Sequence, residues 1–335
     1  MMNYREDIQV SEEYKERYLN GIDQLIFRRQ EDAAQKRKEY AKNIFTDPER
    51  YRADLREMLG WPLVGCDEAA FPAVTRTLLS REDGYTIYRM SIEILPGVTM
   101  TGLYYEMVGK KAPLVLVQHG SLGTPEKISG FYNGDTTNYN HMLERVIAHG
   151  THAFAPQLLL WNKEVFGVVY DRYNIDARLR RLGGSIAALE LYGLGRVLDY
   201  FEAQDNVSSF GMVGLSYGGF YTLFFTALET RIKSAISCAF FNTRDAYPWN
   251  DWTWLGSAEK FDDAEVACLV YPRRLCLELG NNDALFDVAG GLRSYERLIG
   301  MCGDVGSDWI SLITFDGGHE FCPFDEPIER LIKDL

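Results

Sequence analysis

Short, continuous apolar runs that alternate with helical stretches constrain the fold of this 335-residue chain more than any other feature. Continuous runs are typical of strands that are covered on both faces, as in a parallel sheet. The intervening stretches carry apolar residues at three- and four-residue spacing, as residues 185–201 do, which predicts helices. We therefore expect an α/β sheet with right-handed crossovers. The runs are residues 113–118, 152–156, 210–215, 232–241, 274–279 and 309–315.

The segment that precedes these runs has a different pattern. Three stretches alternate between apolar and polar residues and are separated by Asp-Gly and Pro-Gly turns. Such alternation predicts strands with one solvated face, joined as hairpins. We therefore expect the sheet to begin with antiparallel strands at residues 74–79, 85–95 and 100–108.

Residues 1–72 are expected to form a helical extension packed on a main domain of residues 73–335. Residues 11–43 are rich in Glu, Lys, Arg, Gln and Ala and predict a helix, which Gly21 could interrupt. A second helix is better marked, because two cap candidates, a first-turn proline and a terminal glycine follow in order. These residues are Thr46 or Asp47, Pro48 and Gly60.

Composition and charge narrow the classes of partner. The formal net charge of −13 disfavours nucleic acid and anionic membranes as partners. No stretch reaches the roughly 18 consecutive apolar residues of a transmembrane helix, and the N-terminus lacks a secretory signal's apolar core. We therefore expect a cytoplasmic protein with reduced, mostly buried cysteines, because none is paired as C-x-x-C. The cysteines are Cys66, Cys238, Cys268, Cys276, Cys302 and Cys322.

The pentapeptide of residues 214–218, Gly-Leu-Ser-Tyr-Gly, matches the pattern G-x-S-x-G. A strand pattern precedes it and a helix pattern follows, so the chain must turn sharply at Ser216. Such a turn lifts the serine Oγ above the sheet and aims a helix N-terminus at it. The alternative is an ordinary buried strand–turn–helix with an inert serine. The context favours Ser216 as a nucleophile.

A serine hydroxyl needs a base, and the base needs an acid to orient it. In folds with this motif the order along the chain is Ser, acid, His, which leaves His319 among the five histidines. Asp283, in the turn after the 274–279 strand, is the expected acid. Asp287 is the first alternative, whereas Glu278 is expected to be structural within that strand.

An oxyanion hole needs two backbone donors. The amide of Tyr217, directly after the nucleophile, is expected to supply one. The loop after the 113–118 strand begins His119-Gly120-Ser121, and the amide of Ser121 is expected to supply the other. His119 is expected to be a structural hydrogen-bonding residue beneath this loop.

With these residues the sequence resembles the α/β-hydrolase superfamily over roughly residues 74–335. Within it, the chain is similar to the branch of dienelactone hydrolases, acetyl xylan esterases and prolyl oligopeptidases, although dienelactone hydrolases use cysteine where this chain has Ser216. The resemblance implies an α/β-hydrolase fold, with a mostly parallel eight-stranded sheet flanked by helices. The motifs that carry it are residues 118–120, 214–219, 280–283 and 318–321.

The resemblance implies acyl transfer to water by a serine hydrolase that cleaves carboxylic esters, acetyl or carbohydrate esters among them, through an acyl-enzyme. No cofactor is expected, and the expected partner is a small-molecule ester. A homo-oligomer is left open. The alternatives are a serine peptidase of the oligopeptidase type and an α/β-hydrolase scaffold that binds without catalysis.

A short insert at about residues 242–272 is rich in aromatic residues. They can stack on a sugar or wall an acyl pocket, or instead pack the insert onto the sheet, and both alternatives stay open. A loop at residues 161–181 can form a second rim. The histidines His141, His149 and His152 match no metal-ligand pattern, so no metal is expected. The residues expected to bind substrate are Gly120, Trp249, Trp252 and Trp254.

Overall fold

The computed structural model describes residues 2–61, 70–160 and 168–335, so Cys66 and the first residues of the 161–181 loop lie outside the described residues. The strands are β1 (Val74–Arg81), β2 (Tyr85–Leu95), β3 (Val98–Met107), β4 (Ala112–Gln118), β5 (His152–Pro156), β6 (Val207–Leu215), β7 (Ile232–Cys238), β8 (Arg274–Gly280) and β9 (Ile310–Phe315). The helices are α1 (Ile8–Tyr40), α2 (Pro48–Leu59), α3 (Pro125–Ile128), α4 (Met142–Ala148), α5 (Arg172–Arg180), α6 (Ile186–Glu202), α7 (Tyr217–Leu228), α8 (Asp263–Cys268), α9 (Val288–Cys302) and α10 (Glu326–Lys333).

The strands form one sheet in the order β1-β2-β3-β5-β4-β6-β7-β8-β9. The first three strands pair antiparallel, β3 joins β5 antiparallel, and every later pairing is parallel. The predicted mostly parallel α/β sheet is therefore confirmed. Among the described residues the sheet has nine strands, whereas the resemblance implied eight; the nine correspond to the three alternating and six continuous segments of the sequence pattern.

The central strands are buried on both faces, as their continuous apolar pattern predicted. Along β4, Leu114 and Leu116 pack into the core that α2, α6 and α7 cover. Val115 and Val117 point the other way, into the core beneath α4 and α10. Alternate residues of one strand thus serve two cores, one on each side of the sheet.

Helix α1 has 33 residues and runs without interruption through Gly21, so the break considered there does not occur. A glycine in a helix interior costs only about 1 kcal/mol relative to alanine. The C-terminal turns of α1 carry its two buried side chains, Ala33 and Arg37. Residues 11–29 are exposed throughout. The first helix therefore contacts the rest of the chain near its end only.

Helix α2 has the ends that its sequence predicted. Asp47 is its N-cap, Pro48 stands in its first turn, and Gly60 ends it in a left-handed conformation with φ of 79°. Its last carbonyl, that of Leu59, accepts a 2.7 Å hydrogen bond from the Ser185 hydroxyl at the start of α6. Helix α2 is thus held against α6, one of the helices that cover the sheet. The division of the chain into a helical extension of residues 1–72 and a main domain of residues 73–335 stays a prediction.

The insert between β7 and β8 consists of three short 3₁₀ turns followed by α8. In the part of the chain that the structure describes, no helix is both long enough and apolar enough to cross a lipid bilayer.

Candidate active site

Ser216 alone connects β6 to α7. Its φ of 61° and ψ of −120° lie in a region that L-residues rarely adopt. Such a conformation costs on the order of 1–3 kcal/mol and persists where the surrounding structure enforces it. Here the Ser216 amide donates to the Cys238 carbonyl at 2.9 Å, which ties the turn to β7. A strained serine at the end of a central strand is a candidate for function.

Glycine on both sides of Ser216 permits this turn. A Cβ atom on Gly214 would clash with the carbonyl of Gly218. A Cβ atom on Gly218 would lie 2.9 Å from the His119 carbonyl oxygen and closer still to that of Gln118. The two glycines therefore let α7 begin directly against β4 and β6.

His319 and Asp283 meet at the same edge of the sheet. Nδ1 of His319 lies 2.8 Å from Oδ2 of Asp283, and the imidazole is stacked on the Phe286 ring with 5.6 Å between centroids. The other carboxylate oxygen, Oδ1, accepts the amides of Leu285 and Phe286 at 2.8 and 3.0 Å. Burial raises the pKa of Asp283, but its hydrogen bonds with His319 and Phe286 outweigh this and lower the pKa below its ordinary value. An ionised Asp283 accepts only, so Nδ1 carries the imidazole proton and Nε2 presents a lone pair.

The other carboxylates near this turn have different neighbours. Asp287 caps α9 through the amides of Ala289 and Gly290. Glu278 lies fully buried within β8. Burial raises the pKa of Glu278 to about 7. The structure thus brings Asp283 to His319 and gives Asp287 a capping contact.

Ser216 follows β6, whereas Asp283 and His319 follow β8 and β9, and these strands are parallel neighbours through β7. All three residues therefore lie at the carboxyl edge of the sheet, where ligands collect in such folds. Among the described residues, Oγ of Ser216 makes no hydrogen bond to His319 in this structure. Such contacts are often long in the free state of an enzyme and tighten with substrate.

The loop after β4 lies against Ser216. A Cβ atom on Gly120 would be 3.3 Å from Cβ of Ser216 and 3.2 Å from the Leu215 carbonyl oxygen. Ser121, the next residue, is half-buried. Tyr217 is the first residue of α7. The two segments expected to supply backbone donors thus adjoin the serine, and the donor roles of Tyr217 and Ser121 stay predictions.

His119 supports this loop from below. The Leu158 amide donates to its Nε2 at 3.0 Å, so Nδ1 carries the proton and donates to the Gly120 carbonyl at 2.9 Å. Burial lowers the pKa of His119 to about 4, which keeps the ring neutral at physiological pH. A neutral histidine with both nitrogens engaged suits the expected structural role.

Tyr139 was not predicted from the sequence as a residue of the site. Its hydroxyl accepts the Gly120 amide at 2.8 Å, in a fully buried position. Tyr139 belongs to a short 3₁₀ turn outside every motif, so no local signal distinguishes it. Its position depends on the packing of the loop between β4 and α4.

A buried ion network beneath Tyr217 was also missed. Nε of Arg172 lies 2.6 Å from Oδ2 of Asp251, and both residues are almost completely buried. Only a weak signal in the sequence indicates this pair. An arginine and an aspartate stand among aromatic residues, and a charged side chain that becomes buried there needs a partner of opposite charge.

The three tryptophans of the insert differ in how deeply they are buried. Trp252 and Trp254 are 3% and 6% exposed and belong to the core. Their burial favours the packing alternative for these two side chains. Trp249 is half-buried and stacked on Trp252, with 4.6 Å between ring centroids, while its ring also faces Tyr217 at 5.9 Å. Trp249 is therefore the tryptophan of this group best placed to meet a ligand, and substrate binding by any of them stays a prediction.

No group of three or more His, Cys, Asp or Glu side chains is arranged to hold a metal ion within residues 2–61, 70–160 and 168–335.

Several solved structures are similar to this fold. A candidate acetyl xylan esterase from Bacteroides fragilis matches with a TM-score of 0.66 and 16% identity, over 82% of this chain and 76% of that one. A methylesterase matches with a TM-score of 0.62 and 17% identity, over 87% of this chain but only 63% of that one. A glucuronoyl esterase from Solibacter usitatus matches with a TM-score of 0.58 and 15% identity, over 84% and 90% of the two chains.

No family model and no curated protein matches the sequence. The structural likenesses show that the chain has the α/β-hydrolase fold, as its motifs predicted. At these identities they show the fold alone.

Proposed function

We propose that this protein is a serine hydrolase of carboxylic esters, with Ser216 as nucleophile, His319 as general base and Asp283 as the acid that orients it. The observation that carries the proposal is the strained Ser216 at the same sheet edge as a His319–Asp283 pair. The strained conformation of Ser216 costs the fold free energy, as strained residues at functional sites do. Together the serine and the pair supply the groups that acyl transfer requires.

In the proposed reaction, Oγ of Ser216 attacks the ester carbonyl carbon while Nε2 of His319 takes the hydroxyl proton. The carbonyl π electrons move to oxygen, and amides of Tyr217 and Ser121 stabilise the resulting oxyanion. When the tetrahedral intermediate collapses, the C–O bond to the alcohol breaks and His319 returns its proton to the departing alkoxide. Water then attacks the acyl-enzyme by the same steps in reverse, releasing the acid and restoring Ser216.

Asp283 is suited to its proposed role because its carboxylate remains ionised although its side chain is almost completely buried. The negative charge holds the Nδ1–H tautomer of His319 and stabilises the imidazolium that forms when Nε2 is protonated. Stacking of Phe286 on the ring limits its rotation. The imidazole is therefore held in one orientation before substrate arrives.

For the substrate we propose a small ester of a carbohydrate. The structural neighbours are named for acetyl xylan, methyl and glucuronoyl esters, which share a sugar or a small group at the ester. The half-buried Trp249 offers an aromatic face of the kind that stacks on sugar rings. We infer that its position beside Tyr217 orients such a ring near Ser216.

Hydrolysis rates on p-nitrophenyl acetate, a panel of acetylated sugars and sugar methyl esters, and aminoacyl peptide substrates test this proposal. Ester turnover that is lost in Ser216→Ala supports it. Cleavage confined to peptides would replace it with a peptidase. An absence of both activities, with Ser216 unlabelled by a fluorophosphonate, would favour a binding scaffold.

A further inference from the structure

Three charged side chains lie buried together beneath Tyr217. Arg172 is 1% exposed, Asp251 is fully buried and Glu190 is 5% exposed. The guanidinium lies 2.6 Å from Asp251 through Nε and 3.1 Å from Glu190 through Nη1. Burying such a group is costly unless its geometry is well satisfied. The burial of these three charges therefore needs an explanation other than the packing of the core.

One end of the network holds the side chain of Tyr217. The tyrosine hydroxyl lies 3.1 Å from both carboxylate oxygens of Asp251 and donates to that carboxylate. Trp252 packs against the tyrosine ring, with 4.4 Å between centroids. Asp251 belongs to the insert, so the insert fixes the side chain of the first residue of α7.

The other end of the network holds the loop after β5. Nη1 of Arg172 donates to the Leu159 carbonyl at 2.6 Å, and the Leu159 amide donates to Glu190 at 2.8 Å. The preceding amide, that of Leu158, donates to His119. His119 in turn donates to the carbonyl of Gly120.

These contacts form one continuous chain from Tyr217 to Gly120. It passes through the carboxylate of Asp251, the guanidinium of Arg172, the backbone of two consecutive residues of the loop after β5, and the imidazole of His119. Its two ends lie in the two segments that adjoin Ser216. A change at either end is therefore opposed by buried, charge-assisted hydrogen bonds in the middle.

We propose that the Arg172–Asp251 pair is a positioning device that holds both halves of the oxyanion hole at a fixed separation, with Tyr217 anchored at one end and the Gly120–Ser121 turn at the other. This inference rests on the proposed function, since it assumes that these segments bind an oxyanion. Donors fixed in advance stabilise developing charge without reorganising during the reaction, which is why rigidity matters here. Arg172 and Asp251 touch no substrate in this role.

Tyr217→Phe tests the device, because it removes the hydroxyl that meets Asp251 and leaves the backbone amide in place. With p-nitrophenyl acetate, we expect kcat to fall about 10- to 100-fold, as for a misplaced donor, while KM stays within about twofold. The affinity for a phenylboronic acid, which forms a tetrahedral anion on Ser216, should fall by the same factor as kcat/KM. Asp251→Asn should lower kcat and the boronate affinity in the same way.

Tyr51→Phe is the matched control. Tyr51 is 1% exposed and its hydroxyl donates to the Tyr40 carbonyl at 2.5 Å, far along the chain from Ser216. It loses a buried hydroxyl as Tyr217→Phe does, so it should lower the melting temperature without changing kcat. A folded Tyr217→Phe with wild-type kcat and boronate affinity would overturn the inference.

Hydrogen exchange separates failure of this inference from failure of the proposed function. In Tyr217→Phe, amides of residues 217–220 and 119–121 should exchange faster than in the wild type, whether or not an ester is hydrolysed. Unchanged exchange at both segments overturns the positioning device. A wild-type protein without esterase activity overturns the proposed function instead, and the exchange result then decides whether the segments are coupled.

Discussion

Nδ1 of His319 lies 2.8 Å from Oδ2 of Asp283, although 36 residues separate them along the chain. The contact arises because β8 and β9 are parallel neighbours, so the loops that follow them leave the sheet at the same edge. Together with the Phe286 ring that is stacked on the imidazole, it holds His319 in one orientation. Ser216, in its strained conformation, lies at the same edge of the sheet as this contact.

Asp283→Asn should lower kcat about 10⁴-fold, because an amide can donate to Nδ1 and so stabilises the wrong imidazole tautomer. Asp287→Asn should leave kcat unchanged, since Asp287 caps α9 and asparagine caps helices equally well. Steady-state kinetics on a p-nitrophenyl ester measures both. Comparable losses in the two variants would remove the assignment of Asp283 as the acid.

Tyr139→Phe should lower kcat and destabilise the fold. It leaves the Gly120 amide buried without an acceptor, a loss of about 1–3 kcal/mol. Because the loop then shifts to recover a partner, kcat should fall more than KM rises. Thermal melting and kinetics on the same preparation check this, and a variant with normal kcat would show that the hydroxyl does not hold the loop.

Trp249 and Trp252 should respond differently to truncation. Trp252→Ala removes a core side chain and should cost about 3–5 kcal/mol of unfolding free energy. Trp249→Ala should cost less, because its side chain is only half-buried, and should raise KM for acetylated sugars more than for p-nitrophenyl acetate. Equal KM changes for the two substrates would argue against a sugar contact at Trp249.

Glu278 should make stability depend on pH. Burial raises its pKa from 4.5 to about 7, so between those values the folded protein holds a proton that the unfolded chain has released. Its contribution to stability therefore falls as pH rises from about 4.5 and reaches a loss of roughly 3 kcal/mol above pH 7.

Glu278→Gln, a neutral isostere, should consequently raise the melting temperature more at about pH 8.5 than at about pH 5. Melting curves of both proteins at the two pH values measure the difference. The same shift at both pH values would show that Glu278 does not titrate in this range.

Residues 11–29 of α1 should exchange their amide hydrogens far faster than β4 does. They are exposed throughout, and isolated helices are marginal in water. Exchange measured by mass spectrometry tests this directly. Protection equal to that of β4 would mean that another surface covers the helix in solution.

The sheet was predictable from sequence because its determinants are local. Continuous apolar runs such as 113–118 indicate burial on both faces, and residues 47–60 carry their own helix-end signals. Ser216 was also predictable, since the strand, the turn and the helix that define its conformation all lie within a few residues of it.

The supporting contacts were not predictable for the opposite reason. Tyr139 meets Gly120, and Arg172 meets Asp251, only after the loops of separate strands pack together. Burial is also a property of the assembled fold, which is why the sequence could not separate Trp249 from Trp252.

Labelling with a fluorophosphonate, followed by mass spectrometry of the modified peptide, tests directly whether Ser216 is the nucleophile. We predict one label per chain, on Ser216, formed at a rate that falls sharply in His319→Ala and accompanied by loss of ester hydrolysis. Ester hydrolysis by a wild-type protein whose Ser216 stays unmodified, or by the Ser216→Ala variant, would contradict this prediction.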